Sequence, residues 1–280
     1  MPDQSLRLAS LMTLPGQRLD WQRRRFGAKA LLDLSLSALR RGKAALPPVY
    51  LSRFPDNLAD LNDAKQRKDI FIKTVLPLVL RANDEVRSTR QRMLSLILRA
   101  REHGNLTSRE HGFLNQLASQ YDVTEGDFDE LQKRVDVIPA SLALAQGAEE
   151  SGWGTSRFAR QGNAVFGQRT FRKGGGLVPL GREAGQRYEV KSFSNLYTSV
   201  RSYILNLNTH TAYKSFRQKR AEYRSAGQSL DSHVLMGALK SYSERGQKYI
   251  DTIRVIIRSN RLDDFDDVRL LSDNGGNTSS

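Results

Sequence analysis

The sequence predicts an α+β fold, predominantly helical, with one β-hairpin inserted mid-chain. Two textures predict it. Apolar residues recur at three- and four-residue steps over most of the chain, the spacing of one helix face. Between Gly152 and Phe193 that spacing gives way to glycines and β-formers, and it resumes at Tyr197.

The elements follow in order. The first 45 residues carry nine Lys/Arg against three Asp, with little apolar periodicity beyond Leu31 to Leu39. Residues 1–46 are expected as a basic, poorly ordered leader with one short helix, closed by Leu46-Pro47-Pro48. Arg23-Arg24-Arg25 ahead of Phe26 to Leu39 has the outline of an export signal. Lys29 and Asp33 interrupt the apolar run and no small-residue cleavage site is clear, so an amphipathic basic helix is the better reading. From Asn62 to Ala100 the pattern is helical, with Pro77 expected to kink it or start a new segment. Thr107 and Glu110 have capping-box spacing and open another helix. Asp127 to Lys133 makes one more, and residues 47–135 read as an N-terminal helical subdomain packed against the rest of one globular domain that runs from about Pro47 to Leu271.

Pro139 suits the first position of a short, small-residue helix, Ala140 to Glu150, because its missing N–H would be unpaired there. Gly174-Gly175-Gly176 cannot stay helical, and Arg187 to Phe193 alternates like a strand. Helices return from Tyr197 to Ser259 with breaks near Thr209 and Ala226. Residues 136–271 form the domain that carries the chemistry, and the polar tail 272–280 is expected to be disordered.

Composition narrows the function. Forty-four basic against 30 acidic residues give a net charge of +14, which favours anionic partners without choosing among them. No zinc-finger spacing, aromatic RNA-binding signature or basic region with heptads is present, so nucleic acid is not expected. The absence of cysteine excludes disulfides and thiolate chemistry. Four scattered histidines, His103, His111, His210 and His233, lack metal-ligand spacing, so neither a metal nor a cofactor is expected. No run approaches the roughly 20 apolar residues that span a bilayer.

Glu149-Glu150-Ser151-Gly152-Trp153-Gly154 stands out on physical grounds. A carboxylate at an electronegative helix end beside an indole is pushed toward its neutral form, which suits a general acid at a glycosidic oxygen. The bland alternative is a pair of solvated acids at a helix end. Its surroundings alter the balance: Ile138 to Gln146 leads into the motif, and Asn163 and Val165-Phe166-Gly167-Gln168 follow it. This order resembles the glucosaminidase family of peptidoglycan hydrolases, and more closely its Bax-type branch. The resemblance extends to Pro77 through Asn83, Tyr188-Glu189-Val190, Asn206 to His210, Ala212-Tyr213, Phe216-Arg217, Arg220 and Tyr242 to Gly246, about four fifths of the chain.

The resemblance implies a lysozyme-like bilobed fold with extra N-terminal helices, a catalytic domain at 136–271, and cleavage of β-1,4 bonds after N-acetylglucosamine. It implies peptidoglycan glycan strands as partner and action in the bacterial envelope, on the periplasmic side. Glu150, directly before Ser-Gly-Trp-Gly, is the implied essential acid, and Glu149 has no implied role. The family often places its second acid on the hairpin, where Glu189 is preferred over Glu183 in the turn. Glu189 reads equally well as a strand residue paired with Arg187 or Lys191, and the substrate's own acetamido group is a third candidate. Trp153, Phe166, Tyr213 and Tyr249 are candidate sugar platforms, with Trp153 as floor of the site or as core. Tyr213 is also a candidate neighbour of the attacking water. Asn163 and Gln168 can bind acetamido or hydroxyl groups, or Asn163 can simply cap a turn. His210 reads as a structural partner. A hairpin without a disulfide is expected to be mobile enough to gate the cleft, and the basic leader to touch anionic lipid or wall polymer.

Overall fold

The computed structural model describes residues 28–183 and 185–271, and its spine is a 40-residue helix that runs straight through a proline. The helices are α1 (Ala28–Leu32), α2 (Leu36–Arg40), α3 (Ala64–His103), α4 (Ser108–Gln120), α5 (Phe128–Arg134), α6 (Ala140–Ser151) and α7 (Arg157–Gly162). Then come β1 (Arg169–Thr170), β2 (Gly176–Leu177) and β3 (Glu189–Lys191), followed by α8 (Leu196–Thr209), α9 (Lys214–Ser225), α10 (Ser232–Gly237) and α11 (Gln247–Asn260). The predominantly helical α+β class holds. The expected hairpin is a three-stranded antiparallel sheet of order β1-β3-β2, because Arg169–Thr170 adds a strand on the second edge of β3.

Pro77 lies inside α3 without ending it. A mid-helix proline costs about 3 kcal/mol. Val75, Leu76, Leu78, Val79 and Leu80 around it are all buried, and each contributes about 1.5–3 kcal/mol. Packing of α3 against α6 and α8 therefore overrides the local cost. The same helix serves two apolar clusters. Phe71 to Ala82 joins the main core with α6, α8 and α11, while Met93, Leu96 and Ile97 meet Leu114, Leu117 and Leu131 in a satellite core. Helix α3 thus contributes to both cores.

The basic leader up to residue 27 and the tail from 272 lie outside the described residues. Residues 28–46 differ from the expectation of poor order. They form two short helices rather than one, and Leu31, Leu36, Leu39 and Leu46 are buried in the main core. Leu46 also bridges to Leu270, its carbonyl accepting from Leu271 N at 2.9 Å. Thr107 and Glu110 make the predicted capping box at the start of α4, and α8 and α9 end where the sequence breaks at Thr209 and Ala226.

Candidate active site

Helix α6 carries the motif, and both its ends are pinned from afar. Pro139 offers no side-chain cap, so Asp266 supplies one across the chain, accepting from Ser141 N at 2.8 Å and from Ser141 Oγ at 2.6 Å. Burial pushes the Asp266 carboxyl up to about 6 despite these bonds. The extended segment that leads in is fixed by side chains from the regions that carried the resemblance. Asn83 exchanges two hydrogen bonds with Ile138, Asn208 Nδ2 donates to the Asp136 carbonyl, and Arg220 donates to the carbonyls of Lys133 and Val137. Asp136 itself is met bidentately by Arg224 at 2.9 and 3.0 Å, with Arg220 and Arg90 at 3.8 and 4.0 Å. Burial would raise its carboxyl, but the three guanidiniums outweigh this and hold it below the ordinary value.

At the other end the chain makes a tight turn built by Ser151. Its hydroxyl donates to the Gly147 carbonyl at 2.6 Å and accepts from Gly154 N at 2.8 Å. Gly152 takes a left-handed φ of +57°, and Trp153 follows at +58°, a conformation that bulky residues seldom adopt. The strained residue stands three positions after Glu150.

Glu150 is partly buried against tyrosines. Tyr203 donates to Gln146 Oε1 at 2.7 Å, and Gln146 Nε2 donates to the Tyr249 hydroxyl at 3.1 Å. With its oxygen already accepting, Tyr249 directs its own proton to Glu150. Tyr242 stacks on Tyr249 at 5.5 Å and donates to the Phe166 carbonyl, and Tyr213 lies 5.8 Å from Tyr242. Gly167, at φ +60°, lies so close that a Cβ there would stand 3.0 Å from Glu150 Oε2. Burial pushes the Glu150 carboxyl above its ordinary value. The Tyr249 hydrogen bond pulls it back, the Glu149 charge adds to the rise and Arg245 opposes it. Glu149 is paired with Arg245, Nη2 to Oε1 at 2.5 Å, and the Arg245 guanidinium sits 5.3 Å from the Tyr249 ring.

The other candidates separate. Phe166 and Tyr249 are only 2% and 1% exposed, so their rings underlie the acid instead of offering a sugar platform, Phe166 stacking on Tyr203 at 3.9 Å. Tyr213 is buried close to Glu150, which raises its hydroxyl further after burial has done so. Trp153 packs edge-on to Phe71 at 5.5 Å under the Lys68 ammonium, and lines a groove of about 600 Å³ with Glu149, Lys248, Asp251 and Val255. It stands beside the acid helix, on the Glu149 side. Asn163 caps α7 in the left-handed region and donates to the Phe193 carbonyl at 3.0 Å, leaving its buried Oδ1 without a hydrogen-bond partner. Gln168 donates weakly to the Ser202 carbonyl at 3.4 Å, and its buried Oε1 is likewise unpartnered. Both oxygens are enclosed by the protein and face no open site.

Glu189 is buried, and its two oxygens accept from Gly174 N at 3.0 Å and Gly176 N at 2.8 Å. It closes the loop between β1 and β2. Glu183 is exposed in the turn. His210 has the structural role read for it, its Nδ1 accepting from Ala212 N at 3.2 Å. Gln146, Tyr203 and Tyr242 escaped the sequence reading. Gln146 stands one helical turn before Glu150, the spacing that could have found it.

Residues 125–262 match a glucosaminidase family model described as mannosyl-glycoprotein endo-beta-N-acetylglucosaminidase. The chain is also 33% identical over 216 residues to Protein bax of Escherichia coli (strain K12), covering 75% of each chain. This chain belongs to the Bax-type branch of the glucosaminidase family. No solved structure matches it. Membership supports a glycosidase-type function that binds glycan, and the matched region holds Glu150, its tyrosines, the sheet and Asp136 with Arg220 and Arg224.

Proposed function

We propose that this chain cleaves β-1,4 linkages after N-acetylglucosamine in peptidoglycan, with Glu150 as general acid. The observation that carries the reading is the Glu150 environment: a carboxyl at a helix end, raised by burial, held by a hydrogen bond from Tyr249 and walled by Gly167. Such a group keeps its proton at higher pH than a solvated acid and can hand it to a leaving oxygen.

The titratable groups facing Glu150 are Glu149, Arg245 and tyrosines 203, 213, 242 and 249. The one acid among them, Glu149, is engaged by Arg245. Glu189 is committed to two loop amides. In this reading the substrate's acetamido oxygen therefore attacks the anomeric carbon as that carbon's bond to the leaving oxygen breaks. Glu150 protonates that oxygen and then, as carboxylate, takes a proton from the water that opens the cyclic intermediate. Tyr213, buried close to Glu150, is the candidate neighbour of that water. The action would be in the bacterial envelope, on the periplasmic side.

The test is digestion of purified peptidoglycan by wild type and Glu150→Gln, with reduced products identified by mass spectrometry. New N-acetylglucosamine reducing ends should fall by about 10²–10⁴-fold in the variant. Equal release by both proteins would overturn the assignment. The committed state of Glu189 also favours a second reading, a wall-binding protein with a weakly active cleft. Binding of glycan strands by wild type with no release at any pH would establish it.

A further inference from the structure

Two large hydrophobic side chains on the small sheet are the most exposed of their kind among the described residues: Leu180 at 92% and Phe171 at 78%. Val178, at 45%, lies between them in sequence. Topology brings them together. β1 and β2 both run antiparallel to β3, so the chain leaves Thr170 and Leu177 toward the same end of the sheet. Phe171 follows the first strand, and Val178-Pro179-Leu180 follows the second.

The charge around this tip is one-sided. Residues 157–191 hold eight Lys/Arg, at 157, 160, 169, 172, 173, 182, 187 and 191, against two acids. One of the acids, Glu189, is buried on the Gly174 and Gly176 amides, which leaves Glu183 exposed within this stretch, while Glu244 from outside it stands 3.6 Å from Arg169. Exposed apolar residues with a surplus of neighbouring cations are the composition of a surface that inserts at the headgroup level of an anionic bilayer. A soluble polyanion would explain the cations and leave Phe171, Val178 and Leu180 in water.

We infer that this tip of the sheet docks on a lipid bilayer carrying anionic headgroups, with Phe171 and Leu180 entering the interface and the arginines and Lys173 meeting phosphate groups. β1 begins two residues after Gly167, the wall of Glu150, so docking would hold the cleft close to the lipid surface. The inference does not depend on catalysis. No helix among the described residues is long and apolar enough to cross a membrane, so the contact is peripheral.

The test is cosedimentation of the full chain with phosphatidylcholine vesicles and with vesicles containing phosphatidylglycerol. A soluble polyphosphate serves as the lipid-free anion. Wild type should prefer the anionic vesicles by about tenfold or more. Phe171→Ser with Leu180→Ser should weaken vesicle binding by about tenfold while leaving polyphosphate binding unchanged. Arg172→Glu with Lys173→Glu should weaken both. These positions are exposed, and an unchanged melting temperature confirms that the variants fold. Phe171→Trp adds a direct probe, with blue-shifted emission expected on anionic vesicles. Wild-type vesicle binding by the serine variant, binding to polyphosphate alone, or no vesicle binding at all would each overturn the inference.

Discussion

Asp136, four residues ahead of α6, is met by three guanidiniums, whereas Glu150, in the last turn of the same helix, is met chiefly by tyrosines. Both carboxyls are removed from water. At Asp136 the neighbouring charges more than repay burial and the group stays ionised, fixing the extended segment that leads into the helix. At Glu150 burial prevails, and the group is biased toward its neutral, proton-donating form. The two carboxyls flanking one helix are thus pushed in opposite directions, and their neighbours decide which way.

The largest effect is expected where this comparison is broken on the structural side. Asp136→Asn should destabilise the chain by about 3–5 kcal/mol in denaturant titration, because Arg220 and Arg90 would be left buried without their counter-charge. The Asp136 carboxyl is lowered on folding. Its contribution is therefore present above the ordinary value of 3.8 and is lost as pH falls through the folded value, so the mutant and wild type should converge in acid. Tyr249→Phe comes next. It leaves Gln146 Nε2 without its acceptor, at a cost of about 1–3 kcal/mol. It also removes the bond that pulls Glu150 down, so the alkaline limb of a pH–rate profile should move to higher pH.

Glu150→Gln should shift stability in the opposite direction to Asp136→Asn. The Glu150 carboxyl is raised on folding, so the stability it contributes is full below the ordinary 4.5 and is lost as pH rises through the folded value. The glutamine variant should melt higher than wild type at pH 7 to 8, with the gap closing below pH 4.5. A lower melting temperature at neutral pH would contradict the environment described for Glu150. The smallest effect is expected at Glu149. Glu149→Gln removes a like charge and releases Arg245 toward Glu150, so the alkaline limb should move to lower pH. Adding Arg245→Gln should return part of the shift.

Much of this was legible in the residues. The Thr107–Glu110 capping box and the start of α6 after Pro139 rest on local chemistry, which adjacent residues specify. What was not legible depends on partners far along the chain. Asp266 caps α6 from 125 residues away, and the packing that carries α3 through Pro77 comes from α6 and α8. The sequence presented Phe166 and Tyr249 as aromatics near a sugar site, but their burial beneath the acid follows from the crossing of α6 with α11 and the 163–167 loop. Residues 28–46 looked like a loose leader because their charge obscured four leucines that the core takes up.

The most direct measurement is a ¹³C NMR titration of the carboxyl carbons, with the Glu150 signal assigned by its loss in Glu150→Gln and Asp136 as the contrast within the same molecule. The account predicts that Glu150 titrates above 4.5 and Asp136 below 3.8. A Glu150 carboxyl titrating at or below 4.5 would mean an ordinary solvated acid and would contradict its assignment as the proton donor.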